Sequence, residues 1–344
     1  MVRNEPMPNK PLPDKPAGIL AIRRRLLQWY RRHRRDLPWR RTADPYRIWI
    51  SEIMLQQTRV AAVIPYYERF LTLFPNLAAL AKAREQDLLA AWAGLGYYSR
   101  ARNLQKAART IIDLPRFPAD YAALRQLPGV GDYTAAAVAS IAFGRPHAVL
   151  DGNVLRVLSR MVAEHGDVKS QVVQKSLRVV ADALLDRKHP GEFNQALMEL
   201  GATVCLPKQP LCGQCPTRPY CQAHELGIEN QLPLNGVRPV ARQRELHLLV
   251  IDQGEKVLLT ERPADSKRLA GFWELPEREQ VPGAIIDRPA GEFRHTIVHT
   301  TYLVQVYRAS VRRCPEGFQW IAKSALRTFP LSTTTTKALA CLSE

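Results

Sequence analysis

The hydrophobic period of this chain changes once, near residue 240, and that change demands two kinds of structure in one polypeptide. From Ile19 to about Gly201, apolar residues recur at spacings of three and four in segments rich in Ala, Leu, Arg and Gln, which predicts a helical half. Turn signals cut it at LPWR (37–40), LFPNL (73–77), GLGYYS (94–99), LPGVG (127–131), FGRPH (143–147) and HPGEF (189–193). Beyond a polar, proline-containing stretch, IENQLPLNGVRPV, the period becomes two. LHLLVID, KVLLTER and HTTYLVQVYRA predict strands, and SALRTFPL and TKALACLSE predict short terminal helices, so the second half is expected to be α+β. The expected division is a disordered tail over 1–17 with its five prolines, a helical domain over 18–226, a linker over 227–240 and an α+β domain over 241–344.

Lys and Arg number 49 against 32 Asp and Glu, a net charge of +17. An excess of this size points to a polyanionic partner, nucleic acid first, although a lipid- or ribosome-facing surface has the same sign. No run of 18 apolar residues exists, and the N-terminus has Pro and Lys where a signal peptide would need an apolar stretch. The expectation is an intracellular chain, cytoplasmic or nucleoid, with no membrane partner. Of six cysteines, Cys205, Cys212, Cys215 and Cys221 fall within 17 residues as C-x6-C-x2-C-x5-C, a metal-ligand spacing. Spacing alone leaves tetrahedral zinc and an iron-sulfur cluster both open, with only Cys212 and Cys215 forming a C-x2-C pair. Cys314 and Cys341 stand apart and read as reduced, buried thiols.

Three short motifs carry chemistry. In Leu127-Pro128-Gly129-Val130-Gly131-Asp132-Tyr133-Thr134-Ala135, two glycines sit in a turn between helical segments. Either this is a plain αα-hairpin, or Gly129, Val130 and Gly131 bring backbone amides up to a phosphate as a helix-hairpin-helix. Asp151, in LDGNVLRV, reads as a helix N-cap, and a helix N-terminus favours the ionised carboxylate. Such an anion beside a sugar stabilises an oxocarbenium-like transition state. Glu52, in SEIMLQQT, is either a solvated residue of an amphipathic helix or an acid in a closed pocket, where desolvation keeps its proton available. One carboxylate pushed up and another held down is an arrangement suited to cleaving glycosidic bonds.

Taken in order, SEIMLQQT, GLGYYSRARNL, LPGVGDYTA, LDGNVLRV and the four-cysteine pattern resemble the helix-hairpin-helix DNA glycosylase superfamily, and within it the MutY-type adenine DNA glycosylases. The resemblance spans about 18–226 and extends more weakly to the C-terminal domain. It implies an all-α helix-hairpin-helix domain with an iron-sulfur module, then an α+β Nudix-like domain. It also implies excision of adenine opposite 8-oxoguanine or guanine in double-stranded DNA, with the adenine nucleotide turned out of the duplex, and a monomer is expected. Glu52 would protonate adenine N7 and later help activate water; Asp151 would stabilise the sugar cation, and Asn153 would orient the network. Tyr133 stands where related bifunctional enzymes carry a Schiff-base lysine, which implies a monofunctional enzyme because a phenol forms no imine.

Arg40, Trp39 and Gln195 match positions lining the adenine pocket, although alone they read as a surface Arg, a core Trp and an exposed helical Gln. Gln57 and Tyr97 match residues that insert into the base stack, with Leu55 beside them; Tyr97 alone would read as core. The resemblance assigns the four cysteines to one 4Fe-4S cluster, and the LPKQPL loop with Lys208 to a phosphate contact.

GFWELPE, Gly271 to Glu277, carries the Nudix-like resemblance, which implies that His299 belongs to a loop reading 8-oxoguanine. REQVPGAIIDRPAGE lacks the dense glutamates and helical pattern of a magnesium-binding hydrolase, so the domain is expected to bind and not hydrolyse. Where the family has Phe-Ser-His, this chain has Ile297-Val298-His299, and a valine offers no hydroxyl to the lesion's N7-H. Weaker discrimination between 8-oxoguanine and guanine is therefore expected. The competing readings are a thymine or oxidised-pyrimidine glycosylase and a DNA-binding protein without chemistry.

Overall fold

The computed structural model describes residues 16–236, 242–266, 268–297 and 299–342. The expected tail lies outside them up to residue 15. Residues 16 and 17 already belong to the first helix, because proline is tolerated in a first helical turn. The helices run α1 Pro16–His33, α2 Pro45–Leu55, α3 Val60–Leu73, α4 Leu77–Lys82, α5 Glu85–Trp92, α6 Ser99–Ile112 and α7 Tyr121–Arg125. They continue as α8 Asp132–Phe143, α9 Gly152–Met161, α10 Gln171–Leu184, α11 Pro190–Thr203 and α12 Gln222–Glu225. The strands are β1 Arg242–Gln253, β2 Lys256–Glu261, β3 Trp273–Glu274, β4 Ile285–Ile297, β5 Thr300–Ser310 and β6 Phe318–Ala322, followed by α13 Thr333–Ala340.

Two compact units form, and neither is continuous in sequence. The first takes the described chain up to Gln57 and again from Thr110 to residue 236. Its helices start on side-chain caps that the sequence supplies: Asp44 accepts from Tyr46 N, Asp151 from Val154 N and Ser170 from Val173 N. α11 packs on α1, α8 and α9, around a core that includes Leu26, Tyr30, Leu158, Leu177, Phe193 and Leu197. Two glycines let α11 come close. A Cβ at Gly191 would lie 2.5 Å from Ser140 O on α8, and one at Gly201 would lie 2.7 Å from the Asn153 Cβ on α9. The first part of the expected linker is also packed here, with Leu232 buried and Val168 N donating to Leu234 O at 3.1 Å.

The second unit joins residues 58–109 to the sheet. Tyr98 lies on Phe272 with ring centroids 4.0 Å apart, and Arg102 donates to Ala270 O. The sheet order is β3-β2-β1-β5-β4, with β6 also on β2, and β1 runs parallel to β5 from Arg242↔Thr300 to Ile251↔Ala309. Both faces are covered. Leu248 and Val250 enter one apolar cluster with Val304, Val306 and Ala338 of α13, while Leu249 and Ile251 enter another with Leu258 and Ala309. That is why LHLLVID reads as a nearly unbroken apolar run. The three expected strands and both terminal helical segments are present, the first of them as a 3-10 turn over Lys323–Thr328.

One element corrects the sequence reading. Ile297, set with His299 in the lesion-reading loop by the resemblance, ends β4, which pairs antiparallel with β5 from Ile285↔Ser310 to Ile297↔Thr300. Register shifts flank Arg288 and Gly291, and Pro289 is accommodated between them on an edge strand. Val298 lies outside the described residues.

Candidate active site

Glu52 sits in the last turn of α2, a helix buried from Tyr46 to Met54 apart from Arg47, and is itself only 4% exposed. Of the two sequence readings, the solvated face is excluded: Glu52 is desolvated. α8 brings Tyr133 to it: the phenol donates to Glu52 Oε2 at 2.6 Å and lies 3.3 Å from Met198 Sδ on α11. Burial raises Glu52 to about 7, with the charge of Asp151 adding to the rise and the Tyr133 hydrogen bond and Arg40 opposing it. Burial likewise holds the Tyr133 phenol well above its ordinary value, so it remains a donor.

Asp151 faces this pair from the start of α9, and its charge acts on both Glu52 and Tyr133. Its carboxylate accepts from Val154 N at 2.7 Å and Asn153 Nδ2 at 3.1 Å. The expectation that the helix N-terminus holds Asp151 down needs correcting. Burial raises it above the usual carboxylate value, and the bonds from Val154 and Asn153 only oppose that rise. A cap is visible in a sequence, whereas the desolvation of its carboxylate is not.

Glu199, which ties the site together, lies in no motif, and Arg156 lies in one without a role assigned to it. Glu199 of α11 is fully buried and accepts from Arg35 N and Nε, both at 2.9 Å, and from Arg35 Nη2 and Arg40 Nη2, both at 2.8 Å. Although burial raises it, these bonds hold it down at about 2. The same pairing fixes Arg40, whose side chain is 9% exposed and so is not a surface group. Arg156 bonds Asn153 Oδ1 and Gly201 O, each at 2.8 Å, and Cys205 O at 2.8 Å, so it ties the start of α9 to the first cysteine. Its place in LDGNVLRV, three residues after Asn153, was the signal that could have found it.

The remaining expected residues divide by place. Trp39 is buried in the 3-10 turn Pro38–Arg40, and Gln195 accepts from the Tyr30 hydroxyl at 3.3 Å. Leu55 is half-buried at the end of α2, and Gln57 is exposed with a left-handed φ of 57°. It is the neighbouring Gln56 that bonds Thr134 Oγ1, at 3.0 Å. In the hairpin, Val130 is buried and its amide bonds Leu127 O, a correction to its expected phosphate role; Gly129 and Gly131 are exposed. Tyr97 and His299 belong to the second unit. Tyr97 is 48% exposed at a φ of 49°, which removes its core reading, and the Arg100 guanidinium lies 5.6 Å from its ring centroid. His299 is an exposed turn residue.

Cys205, Cys212, Cys215 and Cys221 border a small recess beside Arg160. Burial, with the other three thiols adding to it, raises Cys221 to about 11. Arg160 is 1% exposed, points Nη1 at Cys205 Sγ over 3.1 Å and, among the described residues, pairs with no carboxylate. A buried cation with a cysteine sulfur against it, in a recess bordered by four thiols, fits a thiolate-bound metal group, which would ionise the sulfurs and balance the guanidinium. Cys314 is exposed and Cys341 half-buried, so the expectation of two buried thiols fails; one lies in the loop after β5 and the other follows α13.

Residues 50–182, which contain Glu52, the hairpin and Asp151, match the HhH-GPD superfamily of base excision DNA repair proteins. Over 400 aligned residues the chain is 36% identical to the adenine DNA glycosylase of Homo sapiens, covering 92% of this chain and 73% of the human one. The chain belongs to the adenine DNA glycosylase family. A bacterial adenine DNA glycosylase, from Buchnera aphidicola of Acyrthosiphon pisum, is 36% identical over 229 residues, 66% of this chain and 65% of that one. The solved structure of a thermostable thymine-DNA glycosylase superposes with a TM-score of 0.55 at 31% identity, covering 61% of this chain and 98% of that one. Likeness to the adenine DNA glycosylases thus reaches across both units, whereas the thymine enzyme leaves more than a third of the chain without a counterpart. No helix among the described residues is long and apolar enough to cross a membrane.

Proposed function

We propose that this family member is a monofunctional, monomeric base excision enzyme that hydrolyses the N-glycosidic bond of adenine paired with 8-oxoguanine or guanine in double-stranded DNA. The 2.6 Å bond between Tyr133 and Glu52, with Glu52 raised to about 7 and Asp151 facing it, carries the proposal. Glu52 has an accessible proton at neutral pH and gives it to N7 of the extruded adenine. Asp151 receives hydrogen bonds from the Val154 amide and from Asn153 that Glu52 lacks, so the negative charge of the pair settles there and meets the developing sugar cation. After base loss the Glu52 carboxylate can take a proton from water. Tyr133 supplies no amine, so strand cleavage is not expected.

Arg40, Trp39 and Gln195 receive the adenine, Gln57, Leu55 and Tyr97 support the opened stack, and the exposed Gly129 and Gly131 amides hold phosphate, assisted by Lys208. Cys205, Cys212, Cys215 and Cys221 would hold one 4Fe-4S cluster, which when bound supplies a rigid anionic scaffold under the Arg156 and Arg160 contacts. The chain-order domains 18–226 and 241–344 divide the labour: the first does the chemistry, and the Nudix-like second reads the opposing purine through His299 without hydrolysing nucleotides. With Val298 in place of a serine, preference for 8-oxoguanine over guanine is reduced. Equal single-turnover rates for Val298→Ser and the parent, on both duplexes, would count against that last point.

Incubation with duplexes carrying adenine opposite 8-oxoguanine, guanine or thymine, followed by alkali, tests the proposal. Breaks at adenine only after alkali, opposite 8-oxoguanine and guanine, are expected. Breaks without alkali, or release of thymine instead, would overturn it.

A further inference from the structure

The same recess holds a second group of donors, which shares Cys212 with the four-thiolate assignment. Cys212 Sγ, a ring nitrogen of His224 and a carboxylate oxygen of Glu229 all lie within 4.8 Å of one another, each on a half-buried residue. Among the described residues this is the compact donor group; the four sulfurs are not gathered that closely. Two atoms of the group's residues are orphaned as well: His224 Nδ1 and Glu229 Oε2 are buried with no hydrogen-bond partner. An unsatisfied buried polar atom is destabilising, and one on each of two residues grouped with a thiol points to an absent common partner.

We propose that Cys212, His224 and Glu229 form a mononuclear site for a borderline divalent cation, zinc, which the chain takes when the four-thiolate cluster is not in place. One sulfur, one imidazole and one carboxylate suit zinc, and bonds of about 2.0–2.3 Å need donor separations of about 3.3–3.8 Å, a small closure from those present. Water completes the tetrahedron. Binding displaces the Cys212 thiol proton to solvent and involves no change of oxidation state. Both occupants require Cys212, so they exclude one another, and zinc leaves Cys205, Cys215 and Cys221 as free thiols. Zinc supply therefore competes with cluster assembly. The zinc site rests on the recess, its competition with the cluster rests on the proposed four-thiolate assignment, and neither rests on the glycosylase chemistry.

The test uses the full chain and its His224→Ala and Glu229→Gln variants, each produced in iron-poor, zinc-supplemented medium and again in iron-replete medium. Zinc and iron are counted by elemental analysis, and zinc ligation is read by X-ray absorption. The parent from zinc medium is expected to hold one zinc with one sulfur and several nitrogen or oxygen neighbours. His224→Ala should lose bound zinc about ten-fold or more, yet from iron-replete medium should carry the parent's iron content and visible absorption. Failure to recover a soluble zinc-bearing parent, zinc bound by four sulfurs, zinc retained in both variants, or iron lost together with zinc in His224→Ala would each overturn it.

Discussion

The phenol of Tyr133 donates a 2.6 Å hydrogen bond to Glu52 across 81 residues of sequence, in buried surroundings where the charge of Asp151 also acts. That bond favours the ionised form of Glu52, but burial outweighs it and leaves the carboxyl at about 7. In the proposed mechanism Glu52 donates its proton, so single-turnover adenine release should fall as pH rises through about 7. Tyr133→Phe removes the bond and should move this alkaline limb to higher pH. Rate profiles of the two proteins decide the point, and an unshifted limb contradicts the assignment.

Stability should follow the same group with a definite sign. The folded value of Glu52, about 7, lies above its unfolded value of 4.5. Its contribution is therefore fully present below pH 4.5 and is lost as pH rises through 7. Keeping an ionised Glu52 buried at pH 8 costs on the order of 1–3 kcal/mol. Glu52→Gln, which cannot ionise, should raise the thermal midpoint at pH 8 while changing it little at pH 5. Destabilisation at both pH values would show that the pocket does not disfavour the anion.

Glu199 behaves oppositely. Held at about 2, below an unfolded 4.5, it stabilises the fold above pH 4.5, and that contribution disappears as pH falls toward 2. Glu199→Ala leaves Arg35 and Arg40 without their shared carboxylate. The expected loss is about 3–5 kcal/mol in denaturant titrations at pH 7. A loss below about 1 kcal/mol would mean that water can replace the carboxylate, as at an exposed pair.

Much of this was legible in short stretches of sequence. Glu52, Tyr133 and Asp151 lie in local motifs, and the change of period announced the sheet. Glu199 was not legible, because its partner Arg35 is 164 residues away and nothing near either residue marks the pairing. β4 escaped because Pro289 and Gly291 interrupt its alternation at the register shifts. The direction of Asp151 was misjudged because capping is written in the sequence and burial of the cap is not.

Gly201→Ala isolates positioning from chemistry. The added methyl would lie 2.7 Å from the Asn153 Cβ, so the first turn of α9, which carries Asp151 and Asn153, must shift. Base release should drop by about ten- to a hundred-fold, with an overpacking cost of about 1–3 kcal/mol. Mismatch affinity measured by gel shift should change little. Unchanged release would show that the placement of α9 does not limit the reaction.

The central assignment is tested most directly by measuring adenine release and duplex binding together for Glu52→Gln and Asp151→Asn. Each variant is expected to lose about a hundred-fold or more in single-turnover release, while holding a duplex with adenine opposite 8-oxoguanine as tightly as the parent does. Release at the parental rate from either variant would contradict a mechanism in which one carboxyl donates the proton and the other meets the sugar cation.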